Sequence, residues 1–136
     1  MRLVSATLQL PQLDTTQPLI VQGDEEQLYR MIANLVMNAI QYTPRGGDVV
    51  IRLNQDKKYA LVEVRDTGIG IPAEQQAHVF TRFYRVNRDR NRKTGGSGLG
   101  LAIASAIALK HQGKITVQSQ VGQGSTFILS LPLATV

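Results

Sequence analysis

Apolar and polar positions divide this chain into short alternating runs and two longer helical ones. Residues 3–10 alternate loosely and predict an edge strand ending before Pro11; residues 19–22 form a second short apolar run. Asp24 is a good helix N-cap, with Gln27 three residues on as an approximate capping box. From there Leu28, Ile32, Leu35, Val36 and Ala39 keep to one helical face until Thr43-Pro44 and Gly46-Gly47 end the helix at about Tyr42.

Two strands come next, with period 2. Val49, Ile51 and Leu53 alternate with Val50, Arg52 and Asn54; Ala60, Val62 and Val64 alternate with Leu61, Glu63 and Arg65. After a Gly68–Pro72 turn, a short helix is predicted over residues 73–80. A second long helix, apolar nearly all round and so expected to be buried, is predicted from Gly98 to Gln112 and is stopped by Gly113. Residues 115–120 and 126–131 read as a closing hairpin around Gly122-Gln123-Gly124. About three helices and five to seven short strands predict one α+β domain over residues 1–136.

Composition changes this picture little. The chain has 136 residues, 43% of them hydrophobic and 18% charged, with no Cys, so disulfide frameworks and thiolate metal sites are excluded. No run is long enough to span a membrane, and nothing resembles a signal peptide. The charge of +5 raises nucleic acid as a partner, but it is concentrated in one loop. Between Thr81 and Lys93, six basic residues (Arg82, Arg85, Arg88, Arg90, Arg92 and Lys93) face the single acid Asp89, which matches the whole net excess. Such a loop is either a solvated segment or a clamp for an anion.

Candidate chemistry collects in three places. Period 2 puts Asp66 on the buried face with Ala60, Val62 and Val64, where a carboxylate needs hydrogen bonds. A cap for the turn at 67–70 and a ligand-binding role account for it equally well. Asn34, Asn38 and Gln41 share one stripe of the first helix, which suits a solvated edge or amide ligands for a hard cation such as Mg²⁺. The glycine cluster at 95–100 leads directly into the second helix. It is not a phosphate-binding P-loop, because Lys93-Thr94 precedes it, and "DTGIGIPA" is only a weak dinucleotide fingerprint, because no βαβ pattern surrounds it.

In order along the chain, these pieces resemble the catalytic and ATP-binding domain of bacterial sensor histidine kinases, in the superfamily shared with gyrase, the mismatch-repair ATPases and the ninety-kilodalton chaperones. "NLVMNAIQYTP" (34–44) resembles the family's N box and "DTGIGI" (66–71) its first glycine box. "FTRFYRV" (80–86) resembles the F box, "GGSGLGLAI" (95–103) the second glycine box and "VGQGSTFILSLP" (121–132) the third. The resemblance implies the Bergerat ATP-binding fold: a mixed, mostly antiparallel five-stranded sheet on three helices, with an ATP lid at about residues 81–97.

It also implies site roles. Asp66 accepts a hydrogen bond from the adenine amino group, Gly68 and Gly70 let the backbone approach the base, Ile71 and Tyr42 lie beside it, and Thr126 supports the water network around Asp66. Asn38 is the principal Mg²⁺ ligand, and Asn34 supports metal and phosphates. Gln41 stands where the family usually has a basic residue near the phosphates. Arg85 and Lys93 reach the terminal phosphates from the lid, which Phe80 and Phe83 anchor and which triphosphate is expected to order. Gly96, Ser97, Gly98, Leu99, Gly100 and Leu101 form the phosphate-facing helix start, where bare N–H groups and the helix dipole attract polyphosphate.

The implied activity is that of a protein-histidine kinase using ATP and Mg²⁺, with Asn34, Asn38 and Arg85 as the catalytic set. Related ATPases usually carry Glu at the Asn34 position. An amide cannot serve as a base toward water, so kinase is favoured over hydrolase. His78 and His111 are the only histidines, and neither has a phosphoacceptor setting. The acceptor is therefore expected on a separate dimerisation domain of a longer, homodimeric sensor. A response-regulator receiver domain is the expected downstream partner, no nucleic acid is expected, and this domain alone is expected to be monomeric and cytoplasmic. The alternative is a degenerate nucleotide-binding scaffold without phosphotransfer, for which Gln41 speaks slightly.

Overall fold

The computed structural model describes residues 2–6, 19–81 and 99–134. Strands β1 (Arg2–Ala6) and β2 (Leu19–Gly23) pair antiparallel and lead into helix α1 (Glu25–Tyr42). Strands β3 (Val49–Asp56) and β4 (Tyr59–Asp66) follow, then a four-residue helix α2 (Ala73–Gln76). Helix α3 (Gly100–Lys110) and strands β5 (Lys114–Gln120) and β6 (Gly124–Pro132) complete the fold.

The α+β class expected from the sequence is the class observed. The sheet differs in detail from the expected mixed, mostly antiparallel five strands. Four strands pair in the order β3-β4-β6-β5, all antiparallel, and β1-β2 forms a separate ribbon. Strand β2 reaches the main sheet through one bridge, Val21 to Leu133, and through the Ala134 N–H, which donates to the Ile20 carbonyl at 2.8 Å. That contact is too short to make β2 a fifth strand.

Period-2 alternation sets the inner face of the sheet. Ala60, Val62 and Val64 of β4 and Phe127, Leu129 and Leu131 of β6 are buried, and full burial of each Val, Leu or Phe among them is worth about 1.5–3 kcal/mol. Helix α1 covers this face with Leu28, Met31, Leu35 and Ala39. Met31 takes the place expected for Ile32 and Val36, which are only partly buried. Helix α3 packs against α1, with Gly100 lying against Asn34.

The caps explain the bounds of α1. The Asp24 carboxylate accepts from the Gln27 N–H at 3.0 Å, and Thr43 ends the helix in extended conformation with its hydroxyl on the Ala39 carbonyl. Helix α3 corrects the expectation of all-round burial. Only Ala104, Ile107 and Ala108 are buried, where α3 packs against α1, β5 and β6, and Leu109 is 69% exposed. The predicted helix over 73–80 shortens to α2: His78 N–H donates to Gln75 and Thr81 N–H to His78, three residues back, so the chain continues as tight turns.

Candidate nucleotide site

The site forms where the sheet's inner face runs out beneath the C-terminal half of α1. At that level the register sets Val49, Asp66, Ser125 and Ser119 side by side across β3, β4, β6 and β5. Asp66 is 4% exposed. Its Oδ1 accepts from the Gly68 N–H at 2.9 Å and the Ser125 N–H at 3.2 Å, while Oδ2 has no partner among the described residues. Burial pushes the Asp66 carboxyl above the ordinary 3.8, and the N–H bonds from Gly68 and Ser125 pull part of the way back. The capping role, one of the two alternatives the sequence leaves, is present on Oδ1.

The turn after Asp66 is fixed from three sides. Ile69 N–H donates to the Tyr42 carbonyl at the end of α1, Ile69 O accepts from the Gly122 N–H of the hairpin, and Ile71 N–H donates to Ser119 Oγ at 2.7 Å. The Gln76 side-chain amide bonds both the Ile71 and Ser119 carbonyls, at 3.0 and 2.9 Å. Close approach within the protein dictates the two glycines. A Cβ on Gly68 would strike the Tyr42 carbonyl oxygen, and one on Gly70, whose φ is +78°, would strike that of Gln120. The "GIG" pattern thus has a cause in the fold itself, whatever approaches from outside.

Asn34, Asn38, Gln41 and Tyr42 are all half-buried along the side of α1 that leads to this turn. Gly100 packs against Asn34, so the first turn of α3 sits beside the asparagine stripe. Leu99 caps α3 without any side-chain hydrogen bond, and no acidic residue occupies its first turn, so among the described residues no side chain caps the N–H groups of that end. Leu99, Gly100 and Leu101 are half-buried there, and Ile71 is buried beside the turn. An open groove of about 940 Å³ runs along α1 from Asp24 to Asn34, where it reaches the asparagine stripe. Glu25 and Glu26 make its far end a poor place for polyphosphate.

Thr126 is a correction. Register pairs it with Arg65, on the face opposite Asp66, whereas Ser125 pairs with Asp66 and points inward. Counting back by two from the buried Phe127 finds Ser125, the signal that the sequence reading missed. Ser119 and Gln76 were also missed, since single polar residues on amphipathic segments carry no motif. Phe80 is half-buried and meets Phe127 edge-to-face, with ring centroids 6.1 Å apart. Phe83, Arg85, Lys93, Gly96, Ser97 and Gly98, and the expected lid beyond Thr81, lie outside the described residues.

His111 joins the two long helices. Its Nε2 accepts from the Asp24 N–H at 3.1 Å, which leaves the ring proton on Nδ1 to donate to the Ile107 carbonyl at 2.8 Å. No helix among the described residues is long and apolar enough to cross a membrane.

Residues 23–135 match the family model described as histidine kinase-, DNA gyrase B-, and HSP90-like ATPase. The sensor histidine kinase RppB of Synechocystis is 58% identical over 114 residues, covering 84% of this chain and 25% of RppB. The sensor-like histidine kinase SenX3 of Mycolicibacterium smegmatis is 51% identical over 82% of this chain and 29% of its own length. This chain therefore spans about a quarter of the length of the curated relatives it matches. Among solved structures, the mycobacterial sensor histidine kinase MprB superposes with a TM-score of 0.75 at 33% identity, covering 88% of this chain and 80% of that one. Full-length ShkA in complex with AMPPNP superposes with a TM-score of 0.76 at 29% identity, covering 91% of this chain and 25% of ShkA.

Proposed function

The chain belongs to the histidine kinase-, DNA gyrase B-, and HSP90-like ATPase family, as an ATP-binding catalytic domain of the sensor histidine kinase type, and on that premise we propose how its residues hold ATP and what they do with it. The observation that carries the proposal is Asp66: a carboxylate held rigidly through Oδ1, with Oδ2 left for a ligand at the edge of an apolar core. Oδ2 accepts from the exocyclic amino group of adenine. Ile71 and Tyr42 flank the base. The triphosphate runs along the Asn34–Asn38 side of α1 toward the uncapped start of α3, with Leu99, Gly100 and Leu101 presenting backbone. Arg85 and Lys93, outside the described residues, are the cations proposed for the terminal phosphates.

Mg²⁺ fits the donors present. Asn34 and Asn38, half-buried one turn apart, offer neutral amide oxygens that leave coordination positions for phosphate and water. Bound there, with Asn38 as chief protein ligand, the ion would offset phosphate charge.

The reaction proposed for the whole protein is phosphotransfer to a histidine on a separate dimerisation domain of the same sensor, with a response-regulator receiver domain downstream. A nitrogen of the acceptor imidazole forms a bond to the γ-phosphorus while the bond from that phosphorus to the bridging oxygen breaks, and ADP leaves with the electron pair. The nucleophile is supplied neutral near pH 7, so the domain needs positioning and charge neutralisation rather than a base. Asn34 supports this, because its amide cannot activate water and so keeps hydrolysis slow. Calorimetric titration of the chain with ATP and Mg²⁺, compared with Asp66→Asn, tests the base-binding assignment; equal affinities in two folded proteins would overturn it.

A further inference from the structure

Ile71 is held differently from the rest of its turn. Two residues earlier the bonds are to backbone: the Ile69 N–H to the Tyr42 carbonyl, and the Ile69 carbonyl to the Gly122 N–H. Among the described residues, both peptide groups of Ile71 bond to side chains instead. Its N–H donates to Ser119 Oγ at 2.7 Å, and its carbonyl accepts from the Gln76 amide at 3.0 Å. The same amide nitrogen donates to the Ser119 carbonyl at 2.9 Å. A side-chain amide has two N–H protons, and two carbonyl oxygens take one each. Chemistry fixes its orientation, because turned over its oxygen would face two acceptors.

Gln76 is half-buried at the end of α2, and β5 is an edge strand of the sheet, so one nitrogen joins helix, turn and sheet rim. The Ser119 anchor is itself held: its hydroxyl donates to the Gly124 carbonyl at 2.8 Å and lies 2.8 Å from Ser125 Oγ. Without the amide, two partly buried carbonyls would face each other unpaired. Asp66 is placed instead by the N–H groups of Gly68 and Ser125, with no bond through Gln76. We propose that Gln76 is a positioning residue for nucleotide binding: anchored on Ser119, it clamps the Ile71 carbonyl to β5 and so sets the Ile71 side chain as the apolar wall against the base. The inference rests on the placement of the base beside Ile71 given above. Gln76 acts through Ile71 and touches no part of the nucleotide.

The test is calorimetric titration of the whole chain with ATP, at a temperature where circular dichroism shows each variant folded. Gln76→Met keeps the length of the side chain and removes both donors, and ATP affinity should fall about three- to tenfold. Gln76→Glu keeps the shape but sets a carboxylate against two carbonyl oxygens, so its loss should be at least as large. The factor by which Mg²⁺ tightens ATP binding should stay at the wild-type value in both, because the clamp acts at the base end. In an Ile71→Ala background, where the wall is gone, Gln76→Met should cost nothing further. A merely stabilising Gln76 would lower the melting temperature and leave the affinity of the folded protein alone. Wild-type affinity in folded Gln76→Met, a Mg²⁺ factor that falls with it, or an undiminished further loss in the Ile71→Ala background overturns the proposal. If the Gln76 variants do not fold, Ser119→Ala decides: it removes the acceptor for the Ile71 N–H, and unchanged ATP affinity there also overturns the clamp. A wild-type chain that binds no ATP, or one whose affinity survives Ile71→Ala, overturns the placement of the base itself. Loss in Ile71→Ala without loss in Gln76→Met refutes the clamp alone.

Discussion

Ser125 donates its backbone N–H to Asp66 Oδ1 at 3.2 Å across the β4–β6 pair, and this bond lets a carboxylate stand at the end of a buried strand face. Together with the Gly68 N–H it saturates one oxygen and leaves the other without a partner among the described residues. Asp66→Asn keeps the Oδ1 acceptor and removes the charge. ATP affinity should fall by about 1.5–3 kcal/mol, roughly ten- to a hundredfold, in calorimetric titration.

The same substitution should act oppositely on the ligand-free fold. Burial raises the Asp66 carboxyl above 3.8, so the folded protein holds this proton more tightly than the unfolded chain does. The stability this contributes is complete below 3.8 and is lost as pH rises through the folded value. The melting temperature of Asp66→Asn relative to wild type should therefore be higher at pH 7 than at pH 4, by differential scanning calorimetry without nucleotide. A site that costs stability when empty is consistent with one kept for binding.

Asn38→Ala should fold normally, because Asn38 lies off the Leu28, Met31, Leu35 and Ala39 core stripe. Its ATP affinity should fall when Mg²⁺ is present and change little in EDTA. Equal losses in both conditions would remove Asn38 as a metal ligand.

His111→Leu removes the acceptor for the Asp24 N–H at the start of α1 and the donor to Ile107 at the end of α3. Denaturant unfolding should show a loss of about 1–3 kcal/mol, with ATP affinity of the folded protein unchanged. Unaltered stability would show that the imidazole is not what ties the two helices.

How far these features could be read in advance follows from their physical range. Period 2 was enough to turn Asp66 inward, because it counts from Ala60, Val62 and Val64 on the same strand. The Asp24 cap and the Thr43-Pro44 stop of α1 are local chemistry and were equally legible. Met31 was not, because burial is set by tertiary packing that the pattern along α1 does not contain, and the exposure of Leu109 was hidden for the same reason. The role of Ser119 depends on three partners drawn from two other segments, so no pattern along β5 announces it. For Gly68 and Gly70 the residues were legible but one cause was not: the obstructing atoms are carbonyl oxygens of Tyr42 and Gln120.

The most direct measurement of the whole account is incubation of the chain with γ-labelled ATP and Mg²⁺, alone and with a fragment carrying the dimerisation helices and acceptor histidine of the same sensor. Label is expected on the added fragment only, abolished there when its histidine is replaced, with very slow phosphate release by the chain alone because Asn34 is no base. Rapid phosphate release or self-labelling by the chain alone would contradict the account, as would an ATP-bound chain that leaves the acceptor fragment unlabelled.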